Sequence, residues 1–172
     1  MEHLRYPIGP YSPKSDYTNA ELQAFIKIAE EAPPQYRALV AGLSEADLLK
    51  TYRESAWNVR QLVHHVADMQ LLHFHRMKTT LTEDNAQGSV VNIGGWANTP
   101  DATEAPVELS LALFEATHSR LVFLAKTLTE DQWQQSFYHS GRKLDISLKQ
   151  AIYMTAWHVE HHLAHIKIAL GQ

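Results

Sequence analysis

The chain carries an unusual concentration of histidine, the side chain that most often binds metal ions in proteins. Four of its eleven histidines fall within the eight positions from His158 to His165. A second cluster lies near the middle of the chain and consists of His64, His65, His73 and His75. Because the chain has no cysteine, the two clusters point first to a metal site built from nitrogen and oxygen ligands.

The C-terminal cluster has helical spacing. Residues four apart on an α-helix lie about 40° apart around its axis, so His158 and His162 face the same way. His165 stays on this stripe, His161 sits at its edge and Glu160 points away. The stripe is expected to face inward because its other members are small or apolar, namely Leu148, Ala151, Thr155 and Ala169.

In the middle cluster, one histidine is predicted to enter the core. His65 lies on the same helical face as Leu62, Met69 and Leu72, whereas His64 is turned about 100° from it. His73 and His75 fall to either side of this face, and we expect both at the surface or its boundary.

Three neutral imidazoles from His65, His158 and His162 would make the minimum catalytic zinc-like site, with a fourth position open. Such a donor set suits zinc, nickel or iron(II). Asp68 is the nearest candidate for a general base, or for a group that orients a ligand imidazole. The competing interpretations are a solvated helix surface for the histidine pair and a structural ion pair for Asp68.

Other patterns are weaker. Glu115 and His118 fit one Glu-x-x-His motif of di-iron bundles, but the second motif that such a site needs does not occur. A Ser-His-Asp triad stays open, although no Gly-x-Ser-x-Gly elbow is present. Arg60 and Arg76 could meet an anionic substrate, with ion pairing on a helix surface the favoured alternative.

The elements that must position these residues are predicted to be helices. Residues 1–17 form an irregular, ordered arm, and Pro33-Pro34 should break or kink the first helix. Residues 84–106 are expected to form a long loop, and residues 137–146 a small β-hairpin. Four long amphipathic segments indicate an all-α four-helix bundle, and they begin near residues 18, 58, 106 and 147.

Bulk properties favour one domain spanning residues 1–172 in a cytoplasmic protein. Apolar residues make up 45% of the chain and charged residues 20%, which is an ordinary globular balance. The net charge of -4 argues against a nucleic-acid partner. The N-terminus has no apolar signal-peptide region, and no window is apolar enough to span a membrane. The absence of cysteine fits a reducing compartment.

Two sequence blocks resemble the DinB-like superfamily, and most closely its YfiT group, whose members are named as metal-dependent hydrolases. The blocks are Trp57 to Asp68 and Trp157 to Ile166, and weaker likeness occurs at residues 4–9, 52–53 and 137–139. The resemblance implies a four-helix bundle of unusual connectivity, often a homodimer. It also implies one divalent ion per chain, zinc or nickel, held by His65, His158 and His162.

This chain departs from the family pattern at two places, which could alter the surroundings of the ligands or the substrate preference. Met69-Gln70 stands where the family often has Ser-His, and Glu160 stands where it has His.

Three functions follow from these observations. A metal-dependent hydrolase acting on a small-molecule substrate is favoured. A metal-dependent transferase that uses a low-molecular-weight thiol, such as bacillithiol or mycothiol, is the alternative, because relatives in the superfamily use such thiols. A non-enzymatic metal-binding stress-response module comes third, and a fourth protein ligand such as His165 would favour it.

Overall fold

The computed structural model describes residues 2–172 and consists mainly of helices. The helices are α1 (Glu2–Arg5), α2 (Asn19–Val40), α3 (Glu45–Leu48), α4 (Val59–Thr82), α5 (Ile93–Trp96), α6 (Pro100–Glu104), α7 (Val107–Thr127), α8 (Glu130–Gln134) and α9 (Leu148–Ala169). The two strands, β1 (Ser136–His139) and β2 (Leu144–Ser147), lie between α8 and α9.

The four long helices form the predicted four-helix bundle. Helix α4 packs against α7 and α9, and α2 packs against the same two helices from the other side. The consecutive pairs α2–α4 and α7–α9 therefore lie diagonally across the bundle, whereas the consecutive helices α4 and α7 are neighbours. This order brings α4 beside α9, so the two histidine clusters lie on adjacent helices.

Capping residues fix where three of the long helices begin. The side chains of Thr18, Asn58 and Ser147 each accept a hydrogen bond from the backbone N–H of the third residue of their helix. The side chain of that third residue accepts a hydrogen bond from the backbone N–H of the capping residue in return. Such caps stabilise a helix by about 1 kcal/mol. They hold α4 and α9 in register, and with them the histidines.

The sequence predicted a break or a kink at Pro33-Pro34, and the break is wrong, because α2 continues through both prolines. Its inner face is buried through Ala29, Ala32 and Tyr36, so packing outweighs the missing hydrogen bonds. Pro33 has no N–H with which to bond the Ala29 carbonyl one turn earlier. That carbonyl is therefore free to accept a hydrogen bond from another helix.

The hairpin and the long loop form one wall beside the bundle. Strands β1 and β2 pair antiparallel, as predicted for residues 137–146. The 84–106 loop is less irregular than expected, since it contains the helical turns α5 and α6. It is joined to β1 by hydrogen bonds from Gly88 N to Tyr138 O and from Tyr138 N to Ala86 O, of 2.8 and 2.9 Å.

The N-terminal arm packs as predicted but begins with a helical turn, α1. Tyr11 stacks on Tyr153 and meets the edge of Trp157, with ring centroids 5.4 and 5.5 Å apart. Among residues 2–172, no helix is long and apolar enough to cross a membrane.

Candidate metal centre

The bundle brings together the three histidines predicted as ligands. His65 comes from α4, and His158 and His162 lie one turn apart on α9. One ring nitrogen from each lies within 4.8 Å of the other two. His65 and His162 are buried, and His158 is half-buried. The arrangement therefore offers three nitrogen donors at one point.

The distances and the protonation states suit a small divalent ion. Two nitrogens bound tetrahedrally at 2.0–2.1 Å from zinc lie roughly 3.3 Å apart. His65 Nε2 and His158 Nε2 are 3.1 Å apart. Burial lowers the pKa of His65 to about 4, and burial lowers that of His158 well below its ordinary value. Both imidazoles are therefore neutral near pH 7, which is the form that binds metals.

A hydrogen-bonded chain across the bundle supports His158. Gln70 Nε2 lies 3.0 Å from His158 Nδ1, and Gln70 Oε1 lies 3.1 Å from His118 Nε2. His118 Nδ1 in turn lies 2.6 Å from the Ala29 carbonyl oxygen, the one that Pro33 leaves free. One group from each of the helices α9, α4, α7 and α2 thus belongs to a continuous series of hydrogen bonds.

The Ala29 carbonyl determines which nitrogen of each histidine carries the proton in this series of hydrogen bonds. It can only accept, so the His118 proton is on Nδ1. Burial lowers the pKa of His118 to about 4, so its Nε2 bears only a lone pair and needs a donor. A half-turn of the Gln70 carboxamide provides that donor and directs its oxygen toward His158. His158 then donates from Nδ1, which leaves the Nε2 lone pair for a metal ion.

A shorter chain supports His162. His165 Nε2 lies 3.3 Å from the Arg5 carbonyl oxygen and must donate to it. The other nitrogen of a neutral His165 can then only accept, and it lies 3.3 Å from His162 Nδ1. His162 therefore donates from Nδ1 and, like His158, keeps its Nε2 lone pair. Such second partners fix the tautomer of metal-binding histidines.

A second histidine group, His161, His162 and His165, shares one residue with the first. The hydrogen bonds described above already use both nitrogens of His165 and Nδ1 of His162. Metal binding there would break these bonds. The first group keeps its bonds intact, and we therefore favour it.

The remaining histidines differ in their surroundings. His64 bonds through Nδ1 to Ser110 Oγ and through Nε2 to Ala105 O, at 2.7 and 3.1 Å. His75 is exposed, as expected. His73 is buried, contrary to expectation, with Nδ1 3.4 Å from Thr155 Oγ1. It approaches the site, because its ring centroid lies 5.6 Å from that of His158.

The acidic candidates from the sequence, Asp68 and Glu115, lie outside the cavity that the three histidines line. Asp68 is half-buried and lines a different depression with Leu72 and Trp96. The residues behind the ligand imidazoles are instead Gln70 and His165. Arg37 donates through Nε and Nη2 to the two carboxylate oxygens of Glu115. This ion pair uses the carboxylate, so the di-iron interpretation has no support.

A cavity of about 330 Å³ opens in front of the three histidines. That volume falls in the range of small-molecule sites. Its walls come from the N-terminal arm, the 84–106 loop, the hairpin and the helices α4 and α9. Besides the three histidines, its lining includes Tyr11, Trp57, Met69, His73, Arg76, Val90, Val91, Ile93, His139, Arg142, Met154, Trp157 and His161.

Several known proteins are similar in sequence to this chain over nearly its whole length. A protein of Halalkalibacterium halodurans named "Putative metal-dependent hydrolase BH0277" is 41% identical over 96% of this chain and 96% of its own. YfiT of Bacillus subtilis, also named as a metal-dependent hydrolase, is 35% identical over 95% of this chain and 92% of its own.

Solved structures show the same fold. The structure of YfiT, described as having an unusual four-helix bundle topology, matches with a TM-score of 0.93 over 98% of each chain. A mycothiol-dependent maleylpyruvate isomerase matches with a TM-score of 0.68 at 16% identity, covering 84% of this chain and 60% of its own. The DinB superfamily pattern matches residues 28–166. By this match and by its full-length relatives, the chain belongs to the DinB superfamily.

Proposed function

We propose that this protein is a metal-dependent hydrolase in which His65, His158 and His162 hold one divalent ion, zinc or nickel. The observation that carries the proposal is the meeting of three neutral imidazoles at the floor of a cavity of about 330 Å³. The names of the full-length relatives support the same reaction class.

The donor set fits the chemistry of a hydrolytic metal. Three neutral protein ligands leave one position open to water and substrate, whereas structural zinc sites have four protein ligands. When bound, a divalent ion supplies Lewis acidity, which lowers the pKa of water and polarises the bond under attack.

The chain's own residues prepare the site for this chemistry. Gln70 and His165 accept the Nδ1 protons of His158 and His162, so both ligands present the correct nitrogen without rearrangement. The ring centroid of Trp57 lies 4.7 Å from that of His65, and the ring of Trp157 stacks on that of His161 with centroids 4.3 Å apart. Both indole rings line the cavity, and their apolar surfaces limit the access of bulk water to the histidines.

Metal content gives the first test. Tag-free wild-type protein should carry about one zinc or nickel ion per chain by mass spectrometry, and the His158→Ala and His162→Ala variants should lose it. His75→Ala is the matched control, because His75 is exposed on α4. Wild-type protein that takes up neither ion would overturn the site.

Turnover gives the second test. The metal-loaded protein should hydrolyse at least one member of a panel of esters, amides and phosphoesters, and the two ligand variants should not. A loaded protein that is inactive on the whole panel would refute hydrolysis while leaving the metal site intact.

A thiol transferase is the alternative for the same open position. The likeness to the mycothiol-dependent isomerase concerns the fold, and the absence of cysteine means that any thiol must come from a cosubstrate. Thiol-dependent consumption of monochlorobimane by the metal-loaded protein, without hydrolysis of the panel, would favour this alternative. If neither activity is found, a non-enzymatic metal-binding role becomes the better interpretation.

A further inference from the structure

The cavity in front of the histidines is positively charged and lacks acidic residues. None of its lining residues is an aspartate or a glutamate. Two of them, Arg76 and Arg142, are cations at neutral pH. Such a cavity would repel a cationic ligand and attract an anionic one.

Arg76 is a buried cation without an acidic partner. Its side chain is only 5% exposed, yet no ion pair joins it to a carboxylate within residues 2–172. Nε and Nη2 donate to the Ser89 carbonyl oxygen, and the guanidinium lies 5.8 Å from the centre of the Phe137 ring. These contacts hold the side chain and leave Nη1 free for a ligand.

The other buried arginine shows what an ordinary structural role looks like in this fold. Arg60 is equally buried, but it pairs with Glu45 and donates to the carbonyl oxygens of Glu104 and Ala105. The sequence patterns of the two residues were alike. Only the structure separates an arginine with a structural partner from one that lacks an acid.

Arg142 adds a second charge from the hairpin turn. Its guanidinium lies 5.1 Å from the centre of the Tyr11 ring, and it too has no ion pair within the described chain. The two arginines act on each other: burial and then the charge of Arg142 lower the pKa of Arg76 to about 10. Arg76 remains charged at pH 7, and a bound anion would offset the repulsion between the two guanidinium groups.

Part of the cavity lining is apolar. Val90 and Ile93 of the 84–106 loop are 50% and 42% exposed and lie beside Val91. Exposed aliphatic side chains that line a cavity favour an apolar ligand surface.

We infer that the substrate is an organic anion, with a carboxylate held by Arg76 and Arg142 and an apolar body against Val90, Val91 and Ile93. The inference rests on the proposed function only in calling the ligand a substrate. Three neutral ligands leave the full charge of a divalent ion uncompensated, so an ion at the histidines would strengthen the preference for an anion. The arginine pair alone already provides it.

Binding of a matched pair of probes tests the inference. Affinities of 3-phenylpropionate and the uncharged 3-phenylpropionamide are measured by calorimetry at pH 7.5, on protein stripped with a chelator and on zinc-loaded protein. In the stripped protein the carboxylate should bind about ten-fold or more tightly than the amide, since charged hydrogen bonds contribute more than neutral ones. A preference seen only with zinc would place the carboxylate on the ion and overturn the inference.

Variants assign the preference to the two arginines. Arg142→Gln should weaken carboxylate binding about ten-fold and leave amide binding unchanged. Arg76→Lys keeps the positive charge but loses the planar guanidinium with its several N–H donors. This variant should still fold, and its loss of carboxylate affinity should be smaller. The control is Arg120→Gln, because Arg120 is exposed and also lies over an aromatic ring, that of Phe74.

The outcomes separate the inference from the proposed function. A carboxylate preference that Arg142→Gln removes, in a protein that never hydrolyses the panel, would support the arginine site and refute only the hydrolase. Equal binding of the two probes to stripped wild type, or a preference that survives Arg142→Gln, would overturn the arginine site whatever the protein catalyses.

Discussion

The two sides of the histidine triad are built differently. Behind it, Gln70, His118 and His165 form hydrogen-bonded chains that end at the carbonyl oxygens of Ala29 and Arg5. In front of it, Arg76 and Arg142 face a cavity without any acidic side chain. The groups at the rear are neutral, and their hydrogen bonds fix which nitrogen carries each proton. The front carries two positive charges without an acidic partner in the cavity lining. The difference suggests that the rear prepares the ion and the front selects the substrate.

The supporting elements differ in the same way. The rear lies mostly on long helices whose contacts cross the bundle interior, which makes them precise supports for a metal site. Apart from Arg76 on α4, the front owes its charged and aliphatic groups to the 84–106 loop and the hairpin, the kind of segment on which binding specificity usually lies. Variants on one side should therefore leave the function of the other side unchanged, and this separation can be tested.

The largest effect should come from His65, which stands between the two regions. His65→Ala removes one of three ligands, and the zinc affinity should fall by more than about 100-fold, beyond the loss typical of outer partners. Competition with a chromophoric chelator measures it, with His75→Ala as the control. An unchanged zinc affinity would indicate that the ion binds instead to the group of His161, His162 and His165.

Gln70 should give the next largest effect and tests the rear alone. Gln70→Leu removes the acceptor of the His158 Nδ1 proton, and the zinc affinity should fall about 10- to 100-fold. Gln70→Glu keeps an oxygen toward His158 but loses the donor to His118 Nε2, so it should recover only part of that loss. Binding of 3-phenylpropionate to stripped protein should not change in either variant.

A direct readout of the tautomer sharpens this prediction. Nitrogen-15 NMR of zinc-free wild type should show His158 protonated on Nδ1, and Gln70→Leu should populate both tautomers. Gln134→Leu is the control, because Gln134 is exposed on α8. If His158 is protonated on Nε2 in the wild type, the proposed direction of the hydrogen-bonded chain is wrong.

The sequence predicted the elements of this site better than its contacts. Capping residues and apolar periodicity suffice to predict α4, α9 and the inward stripe, since both signals are local. Periodicity also placed His65 correctly on the core face. His73 was misplaced because it sits at the edge of that face, where only the neighbouring helix decides burial.

The support behind the ligands could not be predicted from local patterns. The link from Ala29 to His158 depends on a carbonyl freed by Pro33, whereas the sequence pattern predicted only a break or a kink at that proline. Gln70 was noticed only as a departure from the family pattern. Arg142 lies in a hairpin turn with no periodicity, so its approach to Arg76 is known only from the tertiary structure.

Gly88 should give a moderate effect confined to the front. A Cβ atom at Gly88 would lie 2.4 Å from Cδ2 of the buried Phe137 ring, so Gly88→Ala must push the loop away from the hairpin. Such overpacking typically costs about 1–3 kcal/mol of the free energy of unfolding, which urea denaturation measures. Probe binding should weaken, while zinc affinity stays at the wild-type value.

Gly94→Ala provides the control for the loop. A Cβ atom there would meet nothing closer than 3.8 Å, so stability and probe binding should stay near wild type. A loss of zinc affinity in Gly88→Ala would show that the loop also supports the ion, and the proposed division between front and rear would fail.

Asp68 should give the smallest effect, and its sign is informative. Burial, and then the charge of Asp101, raise the pKa of Asp68 from 3.8 to about 6 in the folded protein. Between these two values the folded state binds more protons than the unfolded state, so this group's contribution to stability falls as the pH rises. Asp68→Asn should therefore raise the Tm at pH 7.5, by less than about 3 °C, and the difference from wild type should shrink toward pH 4.

The same variant decides whether Asp68 serves the metal site. With Gln70 and His165 behind the ligands and Asp68 outside the cavity lining, Asp68→Asn should leave zinc affinity and hydrolysis unchanged. A Tm that falls in Asp68→Asn, together with weaker zinc binding, would instead give Asp68 the orienting role predicted from the sequence. The rear of the site would then extend along α4 beyond the bundle interior, and the contrast with the front would rest on charge alone.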